Sequence, residues 1–245
     1  MRRPLIAVIT YNEEDNIVTT LEDLERFRHL YDIVVVDNCS GDNTALLCQE
    51  RHIATLRHCV NSGSSFGTLQ TYFRYAHESG YSILVQFDGD GQHVADELEK
   101  IINPVSCDVA DFVIGSRFID KKGFQSFLLR RAAIKGFGIL DSFLTGTKLT
   151  DVTSGFRCYG PRAIDLLGYR FRTQIYDPNQ LVLSAHFAGL RIMEVPVMMR
   201  ERRYGRSEFR DILALAYPLK GAVNIIGCIL QKHQIERMAR RRHGI

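Results

Sequence analysis

The chain has 245 residues, of which 45% are hydrophobic and 24% are charged, with a formal net charge of +3. This composition is ordinary for a globular protein and suits one domain of generous size, or one domain plus a tail. The six cysteines show neither a C-x-x-C spacing nor a framework pattern. This excludes a structural zinc site and indicates reduced thiols in a cytosolic protein. The apolar stretch near the N-terminus is too short for a signal peptide, so we expect it to form the first strand.

The positive charge is concentrated near the C-terminus. The segment 232–243 carries five Lys or Arg and one Glu, and the remainder of the chain has 26 basic and 27 acidic residues. A basic tail suits an anionic surface, either a membrane or a nucleic acid, and it also suits a solvated terminus. The charge alone leaves these alternatives open.

The first half of the chain alternates short β-rich runs with segments of helical spacing. The predicted strands are Leu5–Thr10, Ile33–Val36, Ile53–Leu56, Tyr81–Phe87 and Phe112–Gly115. The predicted helices run over 17–27, 44–51 and 65–79. Asn43 is the candidate N-cap of the second helix, and Gly80 closes the third. This alternation predicts an α/β fold, with a mainly parallel, Rossmann-like sheet covered by helices on both faces.

The second half of the chain is less regular. Its predicted elements are a helix over 124–144, a turn-rich polar stretch over 149–163, a helix over 177–187 and a strand over 191–198. Asp177 is the candidate N-cap of the second of these helices, with Pro178 at its first position. Pro196 lacks a backbone N–H, so we expect the last strand to lie at an edge of the sheet.

The segment 212–230 has about the length that spans a bilayer. Pro218, Lys220 and Asn224 interrupt it, and a lysine near the centre of a span costs about 3 kcal/mol. We therefore favour an amphipathic helix that lies at a membrane interface or packs on the protein, with the basic tail supporting attachment to a membrane surface. This interpretation divides the chain into a main domain, 1–210, and a C-terminal amphipathic and basic segment, 211–245.

Polar or acidic loops follow four of the predicted strands. They read TYNEEDN (10–16), VDNCSGDNT (36–44), QFDGDGQH (86–93) and GSRFID (115–120). The carboxyl ends of parallel strands meet at one edge of a sheet, and ligands of such sheets bind there. The sequence therefore predicts an acidic site at this edge.

The loop QFDGDGQH carries Asp88 and Asp90 one residue apart, with glycines on either side of Asp90. Such a pair alone is common and is explained better by a turn with solvated carboxylates. Its position after a buried strand, beside three other polar loops, favours a cation site instead. Hard divalent cations such as Mg²⁺ or Mn²⁺ take carboxylate oxygens and share their coordination with substrate phosphates.

Seven blocks in order resemble one family of enzymes. They are TYNEEDNI, VVVDNCSGDNT, FDGDGQH, GSRF, DVTSGFRCY, RIMEVPV and RRYGRSE, spanning about residues 10–208. The series is similar to family 2 glycosyltransferases with the GT-A fold, and more narrowly to the dolichyl- and polyprenyl-phosphate sugar synthases. The resemblance implies transfer of a sugar from a nucleotide-diphosphate donor with inversion, with 1–210 as the catalytic domain. It also implies that Asp88 and Asp90 hold a divalent metal on the donor diphosphate, with Gln92 as a further contact and Asp90 as a catalytic group.

The resemblance assigns the nucleotide-sugar pocket to the first two loops. Tyr11, Asn12 and Glu13 are expected to line the nucleoside pocket, and Asp37 and Asn38 to hydrogen-bond the ribose or the base. The family usually has D-D-G-S at this second position, whereas this chain has D-N-C-S over 37–40. An amide both donates and accepts hydrogen bonds while a carboxylate only accepts, so the departure bears on the choice of base.

Several basic residues are candidates for contacts with the donor phosphates or an anionic acceptor, because a guanidinium fork matches phosphate oxygens. The candidate phosphate- or acceptor-binding residues are Arg117, Arg130, Arg131, Arg157, Arg206 and Ser207. Arg130 and Arg131 are equally consistent with surface ion pairs. The last two residues match the block that closes over the donor in the family.

The acceptor decides whether a general base is needed. A sugar hydroxyl has a high pKa and needs a base, whereas a polyprenyl phosphate is already an anion at neutral pH. Asp151 aligns with an acidic residue that faces the sugar in the family, so it is the candidate base or acceptor-orienting group, or else a turn cap. The basic tail favours the lipid phosphate, on a protein attached peripherally to the cytoplasmic face of the membrane. A saccharide hydroxyl acceptor in cell-surface polysaccharide synthesis remains the alternative.

Two further classes compete with a glycosyltransferase. A nucleotidyltransferase usually shows a Gly-rich loop with a basic residue after the first strand, and here TYNEED is acidic and lacks glycine. A non-catalytic protein that binds nucleic acid is supported only by the tail, since residues 1–210 carry no RNA-module signature. We therefore expect no nucleic-acid partner.

Overall fold

The structure is a computed structural model. It describes residues 2–63, 67–120, 128–170, 178–202, 204 and 213–240, with side chains described for these ranges except at 128–133 and 213–220. The strands are β1 Leu5–Thr10, β2 Asp32–Asp37, β3 Ala54–Arg57, β4 Leu84–Asp88, β5 Phe112–Ser116, β6 Arg157–Tyr159 and β7 Ile192–Pro196. The helices are α1 Glu14–Glu25, α2 Thr44–Glu50, α3 Leu69–Glu78, α4 Leu98–Ser106, α5 Leu128–Thr145, α6 Pro161–Asp165, α7 Pro178–Phe187, α8 Leu213–Leu230 and α9 Lys232–Arg240.

The strands form one sheet in the order β3-β2-β1-β4-β6-β5-β7. All neighbouring strands run parallel except β6, which is antiparallel to both β4 and β5. All six residues of β1 are buried, as expected for a central strand that is covered on both faces. The predicted α/β class and its mainly parallel sheet are confirmed.

Two hydrophobic clusters cover the faces of the sheet. One cluster includes Ile17, Leu21 and Ile101 and buries the inner sides of α1 and α4. The other includes Phe73 and Ile225 and lies under α3, α7 and α8. The helical spacing of apolar residues after β1 therefore marks the face of α1 that packs on the sheet.

Four features of the first half and the edge strand test the sequence predictions. The five predicted strands occur with their ends shifted by three residues or fewer, and Gly80 ends α3 with φ +72°. The last strand, β7, lies at an edge of the sheet, as predicted from Pro196. Asn43 is the N-cap residue of α2, as predicted, but its side chain makes no capping hydrogen bond. The side chain of Asp42 instead accepts a hydrogen bond from the Thr44 backbone N–H at 3.0 Å.

The turn-rich stretch 149–163 contains the short strand β6, which the sequence did not predict. Only three residues pair, and β4 and β5 hold them from both sides. Cys158 and Tyr159 are fully buried there. A strand of this length has no periodic pattern of its own, so its partners determine it. The predicted N-cap Asp177 lies outside the described residues.

The C-terminal segment 212–230 forms α8 from Leu213 and is followed by α9. Ile225 and Cys228 are buried against the rest of the protein, and Ile235 of α9 is also buried. Val223 and Ile226, on the same helix α8, are more than half exposed. Within the described part of the chain, no helix combines the length and the apolar character that crossing a bilayer needs.

Candidate active site

The polar loops after β1, β2 and β4 begin at the same edge of the sheet. In the register of the sheet, Thr10 lies beside Asp37, and Ile9 lies beside Asp88. The strand order turns here, because β2 and β3 extend to one side of β1 and β4 to the other. Such a point opens a crevice at the carboxyl ends of the strands.

The loop after β1 is held by the loop after β2. Asn12 has φ +53°, its backbone N–H donates to the hydroxyl of Ser40 at 2.9 Å, and its side-chain oxygen accepts from the Gly41 N–H at 2.8 Å. The Glu13 N–H donates to the hydroxyl of Thr44 at 2.8 Å. Tyr11, by contrast, is 38% exposed. The two loops are therefore fixed to each other, and Tyr11 is an exposed aromatic side chain beside them.

Asp37 and Asn38 are buried, and their polar atoms bind the protein itself. The carboxylate of Asp37 accepts from the backbone and hydroxyl of Ser40 and lies 3.2 Å from the Arg57 guanidinium. The amide of Asn38 donates to Asn61 and accepts from the N–H of Ser62 at 3.0 Å. The donor N–H₂ group explains why an amide suits this position, since a carboxylate cannot donate to Asn61.

Asp88 ends β4 and lies against the ring of His93. Nδ1 of His93 accepts from the Asp88 backbone N–H at 3.0 Å, and Nε2 of His93 lies 3.5 Å from the Asp88 carboxylate. Burial lowers the pKa of His93 to about 4, so the ring is neutral and carries its hydrogen on Nε2. His93 is also stacked on Phe156 at 4.7 Å. The ring therefore orients the carboxylate without adding a charge.

Asp90 lies on the loop beyond Asp88, and one of its oxygens accepts from the Gln92 N–H at 3.1 Å. Burial raises the pKa of Asp88 to about 6, and burial followed by the charge of Asp88 raises the pKa of Asp90. Two crowded carboxylates in this state favour a bound cation. Among the described residues no group of three or more His, Cys, Asp or Glu could hold a metal ion. Carboxylate oxygens are ligands that Mg²⁺ and Mn²⁺ prefer, so the chemistry of the pair fits such an ion.

Arg202 connects the first loop to the acidic pair. Its guanidinium contacts Glu13 at 2.5 Å and approaches Asp90 at 4.0 Å. Burial nevertheless raises the pKa of Glu13 to about 7, and the hydrogen bond from Asn16 and the charge of Arg202 offset this only in part. Arg202 is the first residue of the block RRYGRSE. Its place beside Glu13 depends on a segment that lies 189 residues away in the chain.

Asp151 is fully buried and forms an ion pair with Arg117. Nε and Nη2 of Arg117 donate to its two oxygens at 2.7 and 2.8 Å, and the Arg117 backbone N–H donates at 3.2 Å. Such a bidentate pair fixes the plane of the guanidinium. In this geometry Asp151 orients an arginine, and Arg117 lies at the end of β5 on the edge that carries the acidic loops.

Of the remaining predicted basic residues, only Arg157 has a described side chain. Arg157 on β6 is fully buried, donates to the backbone oxygens of Ser154 and Val152 at 2.6 Å each, and so supports the loop that carries Asp151. Arg130 and Arg131 lie in α5, but their side chains are outside the described part. Arg206 and Ser207 lie outside the described residues altogether.

The structure adds residues that sequence reasoning did not single out. His93 supports Asp88, and Glu194 on β7 accepts hydrogen bonds from the Thr150–Asp151 segment. His93 is part of the quoted block FDGDGQH, and Glu194 is part of RIMEVPV. A polar residue inside an otherwise apolar strand is the signal that marks Glu194.

The position of Gly155 gives a direct test of the carboxylate geometry. A Cβ at this position would lie 2.9 Å from Cγ of Asp88 and closer still to one of its oxygens. We expect Gly155→Ala to displace the carboxylate and to weaken Mn²⁺ binding by about tenfold or more, measured by electron paramagnetic resonance with a nucleoside diphosphate present. Gly136→Ala is the matched control, since nothing lies within 4 Å of its added Cβ. Equal Mn²⁺ affinity in both variants would contradict this geometry.

The titration of Glu13 makes a second prediction. The folded-state pKa of about 7 lies above the ordinary value of 4.5, so the folded protein retains a proton that the unfolded chain releases in between. Stability from this group is therefore present at low pH and is lost as the pH rises towards 7. Relative to Glu13→Gln, wild type should lose about 2–3 kcal/mol of unfolding free energy between about pH 5 and pH 8. Denaturant unfolding measures this difference, with the exposed Glu50→Gln as control, and parallel pH curves for wild type and Glu13→Gln would refute it.

The sequence of this chain matches those of known proteins. Residues 5–168 match the family model "Glycosyl transferase family 2". The chain is 28% identical over 228 residues to a UDP-N-acetylglucosamine–dolichyl-phosphate N-acetylglucosaminyltransferase of Methanococcus voltae, covering 85% of this chain and 90% of that protein. It is 31% identical over 215 residues to an undecaprenyl-phosphate mannosyltransferase of Micrococcus luteus, covering 84% and 87%.

A solved structure shares the fold. Glucosyl-3-phosphoglycerate synthase from Mycobacterium tuberculosis, in complex with Mn²⁺, UDP and glucosyl-3-phosphoglycerate, superposes with a TM-score of 0.66 at 15% identity, over 93% of this chain and 80% of that one. The described sheet, its flanking helices and the family match agree with one another. The chain therefore belongs to glycosyl transferase family 2 and is a glycosyltransferase with the GT-A fold.

Proposed function

We propose that the protein transfers a sugar, with inversion at the anomeric carbon, from a nucleotide-diphosphate sugar to a polyprenyl phosphate such as dolichyl or undecaprenyl phosphate, and that it uses Mg²⁺ or Mn²⁺. The buried Asp151–Arg117 pair carries this proposal, because it supplies a fixed cation at the edge of the site in place of a free base. The two relatives named above are transferases to dolichyl phosphate and undecaprenyl phosphate, which supports the same acceptor class.

The donor side rests on the acidic pair and the loop after β1. We assign Tyr11, Asn12 and Glu13 to the nucleoside, and Asp88 and Asp90 to a divalent cation on the diphosphate. When bound, the cation would supply positive charge to the diphosphate leaving group. The chain itself orients the pair, through the His93 ring behind Asp88 and the Gln92 N–H on Asp90.

The acceptor side rests on the state of Asp151. A hydroxyl acceptor needs a carboxylate that is free to take a proton, whereas both oxygens of Asp151 accept hydrogen bonds from Arg117 and the side chain is fully buried. A phosphate oxygen attacks the anomeric carbon as an anion and needs no proton removal. The new bond forms between this oxygen and the sugar as the bond to the donor diphosphate breaks. The Arg117 guanidinium attracts the acceptor phosphate to this place.

A membrane-embedded acceptor requires a surface that meets the membrane, and α5 and α8 provide one. They lie in contact, since a Cβ on Gly221 would lie 2.6 Å from the Phe137 ring. The exposed apolar side chains among their described residues are Ile139, Leu140, Phe143, Val223, Ile226, Ile229 and Leu230. The helix α9 adds the basic residues Lys232, Arg237 and Arg240. We propose that this apolar surface with its basic border attaches the protein to the cytoplasmic face of a membrane.

Asp90 provides the test of the reaction. Purified protein, Mn²⁺ or Mg²⁺ and a panel of nucleotide sugars are incubated with undecaprenyl or dolichyl phosphate, and the sugar-lipid product is measured. We expect Asp90→Ala to lower the rate by about 10³-fold or more, because the donor diphosphate loses its counter-charge. Asp96→Ala is the control: Asp96 is half exposed, and its surface pair with Arg26 contributes little.

Other outcomes of this assay separate the alternatives. Comparable turnover with a free saccharide acceptor, lost in Asp151→Asn, would favour the hydroxyl-acceptor enzyme in polysaccharide synthesis. Release of diphosphate from a nucleoside triphosphate with a sugar phosphate would favour a nucleotidyltransferase. No binding of any nucleoside diphosphate in the presence of metal would refute the proposal.

Attachment to a membrane is tested by flotation. We expect wild type to float with liposomes of phosphatidylcholine and phosphatidylglycerol, and the double change Phe143→Glu and Leu230→Glu to reduce the bound fraction about tenfold, because both side chains are at least 80% exposed. Val109→Glu, at an exposed apolar position in the loop before β5, is the matched control. Equal flotation of all three proteins would remove the membrane surface from the proposal.

A further inference from the structure

Glu194 lies in the middle of the edge strand β7, between the apolar residues Met193 and Val195. Its carboxylate accepts three hydrogen bonds from one short segment of the chain. One oxygen accepts from the backbone N–H and the hydroxyl of Thr150, each at 2.7 Å, and the other accepts from the Asp151 N–H at 2.8 Å. The segment that begins the loop of Asp151 is therefore bound to a single side chain of the sheet.

These hydrogen bonds join two remote parts of the sequence. Glu194 lies 43 residues after Asp151, and it lies beside Ile114 of β5 in the register of the sheet. The hydroxyl of Thr150 also contacts the hydroxyl of Ser116 at 2.7 Å, at the end of the same strand β5. The loop of Asp151 is thus attached to both β5 and β7. Such attachment holds the Thr150–Asp151 backbone in place relative to the two strands.

Glu194 is itself a carboxylate, so it cannot neutralise the charge of Asp151. Its carboxylate lies next to that of Asp151, and burial raises the pKa of Glu194. The only cation that forms an ion pair with Asp151 among the described residues is Arg117. The described hydrogen bonds of Arg117 use Nε, Nη2 and the backbone N–H, so Nη1 is the nitrogen that faces elsewhere.

We propose that Glu194 is a positioning residue: by holding the Thr150–Asp151 backbone it sets the plane of the Arg117 guanidinium and so the direction of Nη1 towards the anionic acceptor. The last step rests on the proposed function, since it identifies the group that Arg117 meets as a phosphate. The effect of Glu194 on the orientation of Arg117 does not depend on a bound ligand. Glu194 itself touches no substrate.

Glu194→Gln separates this role from simple packing. The variant keeps the shape of the side chain, but its amide presents one acceptor oxygen and one N–H₂ donor. At least one of the three donors of Thr150 and Asp151 then faces another donor, and the segment must move. Glu194→Asp keeps both oxygens on a shorter chain, so we expect a partial effect. Met193→Leu, on the same strand and partly exposed, is the matched control.

The first readout needs no substrate. In protein labelled with ¹⁵N-arginine, the Nε–H signal of Arg117 is identified by its loss in Arg117→Lys. We expect hydrogen exchange of this signal to be at least about tenfold faster in Glu194→Gln than in wild type, intermediate in Glu194→Asp and unchanged in Met193→Leu. Equal exchange rates in Glu194→Gln and wild type would overturn the proposal. If Glu194→Gln does not fold, Thr150→Val removes only the hydroxyl donor and is measured in its place.

The second readout is kinetic and uses the sugar-lipid assay. We expect kcat/KM for undecaprenyl phosphate to fall about 10- to 100-fold in Glu194→Gln, while the affinity for UDP or GDP with Mn²⁺ changes less than about twofold. A purely structural role would instead weaken donor binding and acceptor use together. If wild type makes no lipid product, the proposed function fails, and the exchange of the Arg117 signal still decides the role of Glu194.

Discussion

The parallel pairing of β1 with β4 is the constraint on which the site depends. It sets Ile9 beside Asp88, so the loop that carries the acidic pair begins next to the loop that follows β1. The N–H of Gly89 donates to the Ile9 carbonyl at 2.8 Å and extends this contact past the end of the strand. A Cβ on Gly89 would lie 2.8 Å from the Thr10 side chain, so the close approach itself requires glycine here.

Burial of charged side chains also determines the properties of the site. Glu13, Asp88 and Asp90 all have raised pKa values. Burial disfavours the charged form of each carboxyl group, and the nearby cations offset this effect only in part. Arg117 donates a hydrogen bond to each of the two oxygens of Asp151. The site thus divides into a part with surplus negative charge, suited to a divalent cation, and a part with a fixed guanidinium, suited to an anion. A donor diphosphate and an acceptor phosphate need these two parts side by side.

Much of this arrangement was predictable from local patterns. The apolar runs gave the strands of the first half, and the rule that ligands bind at strand ends led to the loops of Asp37 and Asp88. The strand β6 was missed because its three residues are specified by β4 and β5 and not by their own sequence. Asn43 occupies the predicted N-cap position of α2, but its side chain donates to Glu14 and makes no capping hydrogen bond, because Glu14 comes from another part of the chain.

The sequence by itself determined the fold class, the family and the acidic pair, because these follow from hydrophobic periodicity and from short motifs whose residues are neighbours in the chain. Only the tertiary structure decided what Asp151 does, since its role depends on partners from two other strands: Arg117 after β5 and Glu194 within β7. The same holds for Arg202, which reaches Glu13 across the crevice. Pairing between buried charges is a property of three-dimensional contact, and no spacing along the chain encodes which carboxylate an arginine will meet.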